Sequence, residues 1–255
     1  MSAPAVTWWG HATTTVEDSG VRVLADPVLG AGLAHLRRRR GPVPGPDARR
    51  VDAVVVSHCH LDHLHVPSLR ALPADAPVLL PRGALRAVPG LRALAGRELV
   101  EVAPGDEVDL GAVRVRVVPA AHDGRRWPVS RTAPPALGFV VHGAARTYLA
   151  GDTDLDDDVV AAVDGADVAV LPVGGWGPGL GPGHLDARRA AELLARVGAR
   201  DAVPVHWGTF WPVGLGRVRR HELDGPGPTF AAHAARLAPA ARVHLLRPGA
   251  TARTG

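Results

Sequence analysis

The stretch VVVSHCHLDHLHV, Val54 to Val66, decides the reading of this chain. An apolar run (Val51, Ala53, Val54, Val55, Val56) leads into it, and a mixed segment (Leu64, Val66, Leu69, Leu72) leads out. Between them His58, His60, His63 and His65 crowd around Asp62, in a chain with 13 histidines among 255 residues. The pattern reads as a buried strand, a sharp exit and a helix start, a common place for chemistry on an α/β scaffold. Residues two apart on an extended segment project the same way, so His58 and His60 can reach one ion while Cys59 points away. If the chain then turns into a helix, Asp62 and His63 project toward a neighbouring ion. Imidazole nitrogen and carboxylate oxygen suit zinc and other first-row divalent ions, and catalytic sites of this kind keep a position for water.

One cluster cannot complete two such sites, so further ligands are expected at other strand ends. His122 ends VRVRVVPAAH, Asp152 follows TYLAG, and His206 lies in DAVPVHWG. Around them, AVTWWGHATTTVED, VRVLADPV, APVLLP and LGFVVHGAARTYLAGDTD read as strands broken by Gly-containing turns. RRRRGPVPGPDARR, Arg37 to Arg50, reads as a Pro- and Arg-rich loop. Later, ADVAVLPVGG reads as a strand and Asp186–Val197 as a helix with Ala190, Leu193, Leu194 and Val197 on one face. A short helix near Thr229–Leu237 and a strand Val243–Leu246 close the chain. The result is an α/β chain with two packed sheets and helices outside, expected as one domain over residues 1–255.

Composition excludes several classes. Hydrophobic residues at 46% and charged residues at 21% give an ordinary globular balance. No apolar run approaches the roughly 18 residues of a membrane span. The stretch MSAPAVTWWG lacks the basic-then-apolar order of a signal peptide. A single cysteine, Cys59, permits no internal disulfide, and a reducing cytoplasm is the expected home. The sequence pI of about 10.6 does not indicate nucleic acid. The chain has no Lys, so all 29 basic residues are Arg, and a net charge of +4 carried by a group that barely titrates already gives a high pI.

SHCHLDH, His122, AGDTD and VPVHWGTF, in that order, resemble the metallo-β-lactamase superfamily. WWGHATTTVE with LADPV, and GHLDARRAAE ahead of the last histidine, resemble its branch of L-ascorbate phosphate lactonases and N-acyl phosphatidylethanolamine phospholipases D. The resemblance implies an αββα sandwich with metals at one edge between the sheets. It puts His58, His60 and His122 on one metal, Asp62, His63 and His206 on a second, and Asp152 between both. It sets His184 beside the metals, where it could contact substrate or leaving group, and makes His11 and Asp26 supports that orient ligands. The metals would most simply be zinc, with manganese, iron or nickel fitting comparable sites.

Two such ions roughly 3.5–4 Å apart would give hydroxide from a bridging water at neutral pH, for attack on a carbonyl or phosphoryl centre. Asp62 would orient that nucleophile. The expected substrate is a small ester, lactone or phosphodiester, with Arg125 and Arg126 as an anion fork and Arg37–Arg40 near the mouth. A nucleic-acid-processing phosphodiesterase would need an inserted substrate arm of a size absent here. A di-iron redox protein of this superfamily would carry Glu in place of His60. GGWGPGLGPGH reads as a wall of the active site, and His65 as a helix-surface residue.

Overall fold

The computed structural model describes residues 3–163, 165–177, 179–215 and 218–254. The chain opens with the meander β1 (Ala5–Gly10), β2 (Thr13–Asp18) and β3 (Val21–Ala25). A short hairpin follows, β4 (Gly32–Leu33) and β5 (Leu36–Arg38). Next come β6 (Ala53–Val55), α1 (Val66–Arg70), β7 (Val78–Pro81), α2 (Ala84–Ala87) and β8 (Leu99–Val102). The second half adds β9 (Glu107–Asp109), β10 (Arg114–Pro119), β11 (Leu137–His142), β12 (Arg146–Leu149), α3 (Asp157–Ala162) and β13 (Val168–Pro172). It continues with α4 (Ala187–Val197), β14 (Asp201–Val205), β15 (Phe210–Pro212), α5 (Arg220–Asp224) and α6 (Pro226–Leu237). The chain ends in β16 (Arg242–Val243) and β17 (Ala250–Arg253).

These strands form two seven-stranded sheets, ordered β17-β1-β2-β3-β6-β7-β8 and β16-β14-β13-β12-β11-β10-β9, with a small third sheet β15-β5-β4. Helices cover the outer faces, giving the expected αββα order. The main core lies between the sheets, where Val6, Trp8, Val16 and Val55 meet Val117, Phe139 and Leu149. Its edge on the second sheet is closed by α4 and α6, through Leu193, Leu194, Val197 and Phe230. A second cluster on the outer face of the first sheet packs Leu24, Val54, Val56 and Leu80 against Leu64, Leu69 and Leu91. β6 is buried at every residue because it runs parallel to β3 and β7 and is covered on both faces, so it reads as a continuous apolar run.

Three boundaries differ from expectation. Arg37–Arg50 begins as strand β5, paired with β15, and contains a single 3-10 turn at Pro46–Arg49. The segment after Asp62 stays a turn, and α1 starts only at Val66. The closing strand covers Arg242–Val243, while Ala250–Arg253, which carries no apolar run, pairs with β1. β4–β5 and β15 bring Leu33, Leu36 and Phe210 beside the edge where the first two sheets end.

Candidate metal centre

The expected ligands, with His11 and Asp26, each lie just past the C-terminal end of a strand. His11 sits in the β1–β2 turn, Asp26 follows β3, and the 57–63 segment follows β6. His122 follows β10, Asp152 follows β12, and His206 follows β14. The two sheets therefore each deliver part of one cluster. Backbone bonds join them there: His206 N donates to His11 O at 2.8 Å, and Leu137 N donates to Ser57 O at 2.9 Å. His11, Asp26 and His206 all take left-handed backbone conformations (φ +54°, +44° and +62°), which non-glycine residues adopt only where the surroundings hold them. Gly151, at φ +61°, has no room for a side chain: a Cβ there would lie 2.4 Å from that of Ser57.

Three histidine nitrogens converge on one side: His58 Nε2 is 2.9 Å from His60 Nδ1, which is 3.3 Å from His122 Nε2. On the other side His63 Nε2 lies 3.1 Å from His206 Nε2, with Asp62 Oδ2 3.7 and 3.5 Å from the two. Asp152 touches both groups, through Oδ2 at 3.9 Å from His58 Nε2 and 3.2 Å from His63 Nε2, and through Oδ1 at 3.4 Å from His206 Nε2.

The outer partners settle which ring nitrogens face inward with a lone pair. His206 Nδ1 donates to Gly174 O (2.9 Å) and His122 Nδ1 to Gly183 O (2.8 Å), since a carbonyl only accepts. His63 Nδ1 donates to Asp26 Oδ2 at 2.7 Å. Ser57 Oγ gives its proton to Asp26 Oδ2 (2.7 Å) and so accepts from His58 Nδ1 (3.0 Å). Four Nε2 atoms thus converge on one another and on carboxylates, an arrangement that needs positive charge among them, whether a proton or a metal ion. Asp152 Oδ1, buried without a hydrogen-bond partner, adds a fifth such donor. This donor set fits first-row divalent metal ions.

The electrostatics agree. Burial alone would raise the carboxyls of Asp62 and Asp152, yet the histidines around each hold them well below the usual carboxylate range. Burial pushes His58 and His60 down, and pushes His122 down to about 4. His63 goes the other way: burial lowers it, but Asp152, Asp26 and Asp62 together carry it well above an ordinary histidine. The three carboxylates draw positive charge into the middle of the cluster.

His11 Nε2 holds Asp62 Oδ2 at 2.8 Å, and Asp26 holds Ser57 as well as His63, so both brace the cluster. His184 Nε2 lies 3.4 Å from Asp152 Oδ2 and its ring packs 4.6 Å from that of His122. Cys59 is fully buried in the outer-face core, pointing away from the cluster. His65 is the N-cap residue of α1, its ring nitrogen bonded to Ser68 Oγ. Arg125 and Arg126 do not form a fork. Arg125 pairs with Asp123, while Arg126 Nη1 donates to the carbonyls of Cys59 (2.9 Å) and Leu64 (2.7 Å). Arg37, Arg38 and Arg40 are held by Leu36 O, Trp9 O and Asp224. The Gly-rich wall does border the site through Trp176, with Pro178 outside the described residues.

Sequence reading missed Ser57, a serine in an apolar run with no motif of its own, and Trp127 at the mouth. Among the described residues no helix is long and apolar enough to cross a membrane.

Residues 21–207 match the profile of the beta-lactamase superfamily domain. A metal-dependent hydrolase of Carboxydothermus hydrogenoformans is 31% identical over 82% of this chain and 86% of its own length. An uncharacterised protein of Mycobacterium tuberculosis is 33% identical over 81% of this chain, which spans 59% of that protein. An N-acyl-phosphatidylethanolamine-hydrolyzing phospholipase D of Caenorhabditis elegans is 27% identical over 82% of this chain and 64% of its own length. Among solved structures, a possible metal-dependent hydrolase of Veillonella parvula aligns over 99% of this chain and all of its own, with a TM-score of 0.74 at 19% identity.

Proposed function

Because the chain belongs to the metallo-β-lactamase-fold hydrolase superfamily, we propose that it works as a dinuclear hydrolase on a small ester, lactone or phosphodiester. His58, His60 and His122 would hold one divalent ion, Asp62, His63 and His206 the second, and Asp152 would bridge them. Zinc suits the set, and manganese, iron or nickel could occupy the same donors. The observation that carries this reading is the convergence of four Nε2 atoms on the carboxylates of Asp62 and Asp152.

When bound, the ions supply a nucleophile from water at neutral pH and withdraw charge from the substrate oxygen. The chain's own groups do the rest. Asp62, fixed by His11, would orient the attacking water. Burial lowers the pKa of His184, but the hydrogen bond and charge of Asp152 outweigh it, so the net shift is upward and His184 would be suited to give a proton to the leaving group. Ser57, Asp26 and the carbonyls of Gly174 and Gly183 would keep each ring turned to the ions. With Arg125 paired and Arg126 bonded to backbone, any anionic group on the substrate would be met by the ions. A single cysteine that makes no disulfide suits work in a reducing cytoplasm.

The test loads the protein with zinc, counts metal per chain, and follows hydrolysis of a model phosphodiester and a panel of lactones. Two ions per chain and turnover lost in D152A are expected. Normal turnover by D152A would overturn the assignment.

A further inference from the structure

A cleft of about 370 Å3 opens on His60, Asp62, Asp152 and His184. Its remaining walls are mostly apolar, among them Leu33, Leu36, Leu61, Trp127, Pro128 and Trp176, with His35 and Arg126 as the polar members. Leu33 and Leu36 form a buried side, held by the β4–β5 hairpin. Trp127 and Trp176 come from two different loops and stay 52% and 37% exposed. The ring of His35 packs against Trp176 in a T-shaped contact, with centroids 5.3 Å apart. Arg126 spends both protons of Nη1 on backbone carbonyls and lies along Trp127, 5.8 Å from its ring.

Two large indoles left half in water beside a catalytic cluster are costly unless something covers them. The apolar wall begins within the cluster itself, since Leu61 lies between His60 and Asp62 in the chain. Whatever covers the tryptophans therefore sits next to the bond being broken. The cleft is at the small end of ligand pockets, which run roughly 300–1,000 Å3, so it takes one compact group.

We infer that this cleft is a hydrophobic specificity pocket, in which Trp127 and Trp176 select substrates carrying a compact apolar group, such as a phenyl ring, beside the hydrolysed bond. The inference rests on the hydrolase reading above, but the walls can be tested apart from it.

Matched pairs differing only in the apolar group serve as substrates for the zinc-loaded protein: γ-butyrolactone with γ-phenyl-γ-butyrolactone, and dimethyl phosphate with benzyl methyl phosphate, followed by the alcohol released. For the bond the protein cleaves, the phenyl-bearing member is expected to show a kcat/KM roughly 10-fold higher or more. W127A and W176A are expected to shrink that ratio toward one while their metal content stays at the parent value, and W127F to restore most of it. Equal kcat/KM within the pair, or an unchanged ratio in both alanine variants, overturns the inference.

A fluorescence titration of the zinc-loaded protein with 3-phenylpropan-1-ol, against propan-1-ol, reads the pocket without turnover. A saturable change with the phenyl alcohol alone, weakened in W176A, supports the pocket even if no pair is hydrolysed, in which case only the hydrolase reading fails. Absence of a saturable change overturns the pocket even if hydrolysis is observed.

Discussion

Ser57 is the smallest side chain at the centre and holds the most of it in place. Its Oγ links Asp26 to His58 and lies 3.3 Å from His63 Nδ1, while its backbone N–H meets Asp26 Oδ1 at 2.7 Å. Removing that hydroxyl leaves the His58 Nδ1–H without its acceptor and takes one of the donors from Asp26, the carboxylate that orients His63. S57A is expected to bind zinc about 10- to 100-fold more weakly, with the fold intact, in competition against a chelating dye. Unchanged affinity would show that packing alone orients His58. Cys59, one residue on, carries the opposite expectation. It is fully buried, and burial pushes its thiol up to about 12. The native protein should not react with a thiol reagent at pH 8, and should react once in denaturant.

At this scale the residues of the histidine–aspartate cluster were legible because a donor set suited to metal restricts both residue type and spacing. Ser57 and Trp127 were not, because a hydroxyl brace and an apolar wall can be built from many residues in many places. The arginine fork failed for a related reason. In a chain whose only bases are arginines, two adjacent ones carry little information, and local carbonyls and Asp123 claimed them.

Among the elements, α4 shows how little chain is needed to fix a helix that closes the core. Asp186 accepts from Arg188 N and Arg189 N at its start, and Gly198 ends it in a left-handed turn. D186A should cost about 0.5–2 kcal/mol, read as a lower Tm, because two first-turn N–H groups lose their acceptor. L193A should cost more, about 2–5 kcal/mol, since that side chain is fully buried. A D186A loss equal to that of L193A would mean the cap does more than satisfy the first turn. This helix was readable from its period. The strands at the C-terminus were not: Ala250–Arg253 is half polar and becomes a strand because β1 offers it an edge. Edge pairing is decided by the partner, which no local pattern reports.

Across the whole molecule, the two sheets are joined at opposite ends by different means. Away from the cluster, Asp18 at the end of β2 accepts from Ala144 N and Ala145 N in the turn between β11 and β12. D18A leaves the buried Ala145 N–H without an acceptor and should cost about 1–3 kcal/mol, measured by denaturant unfolding of the zinc-loaded protein. At the cluster end, zinc removal by a chelator should lower Tm and zinc addition restore it, because an ion that binds only the folded chain stabilises it by mass action. An unchanged Tm after the metal is gone would mean the cluster contributes nothing to holding the sheets together.

His58, His60, Asp62 and His63 are carried by one sheet, and His122, Asp152 and His206 by the other. The rate at which a chelator strips metal from this protein is therefore a clock for how often the halves part. A substitution deep between the sheets, far from any ligand, would register on that clock before it changed the melting point.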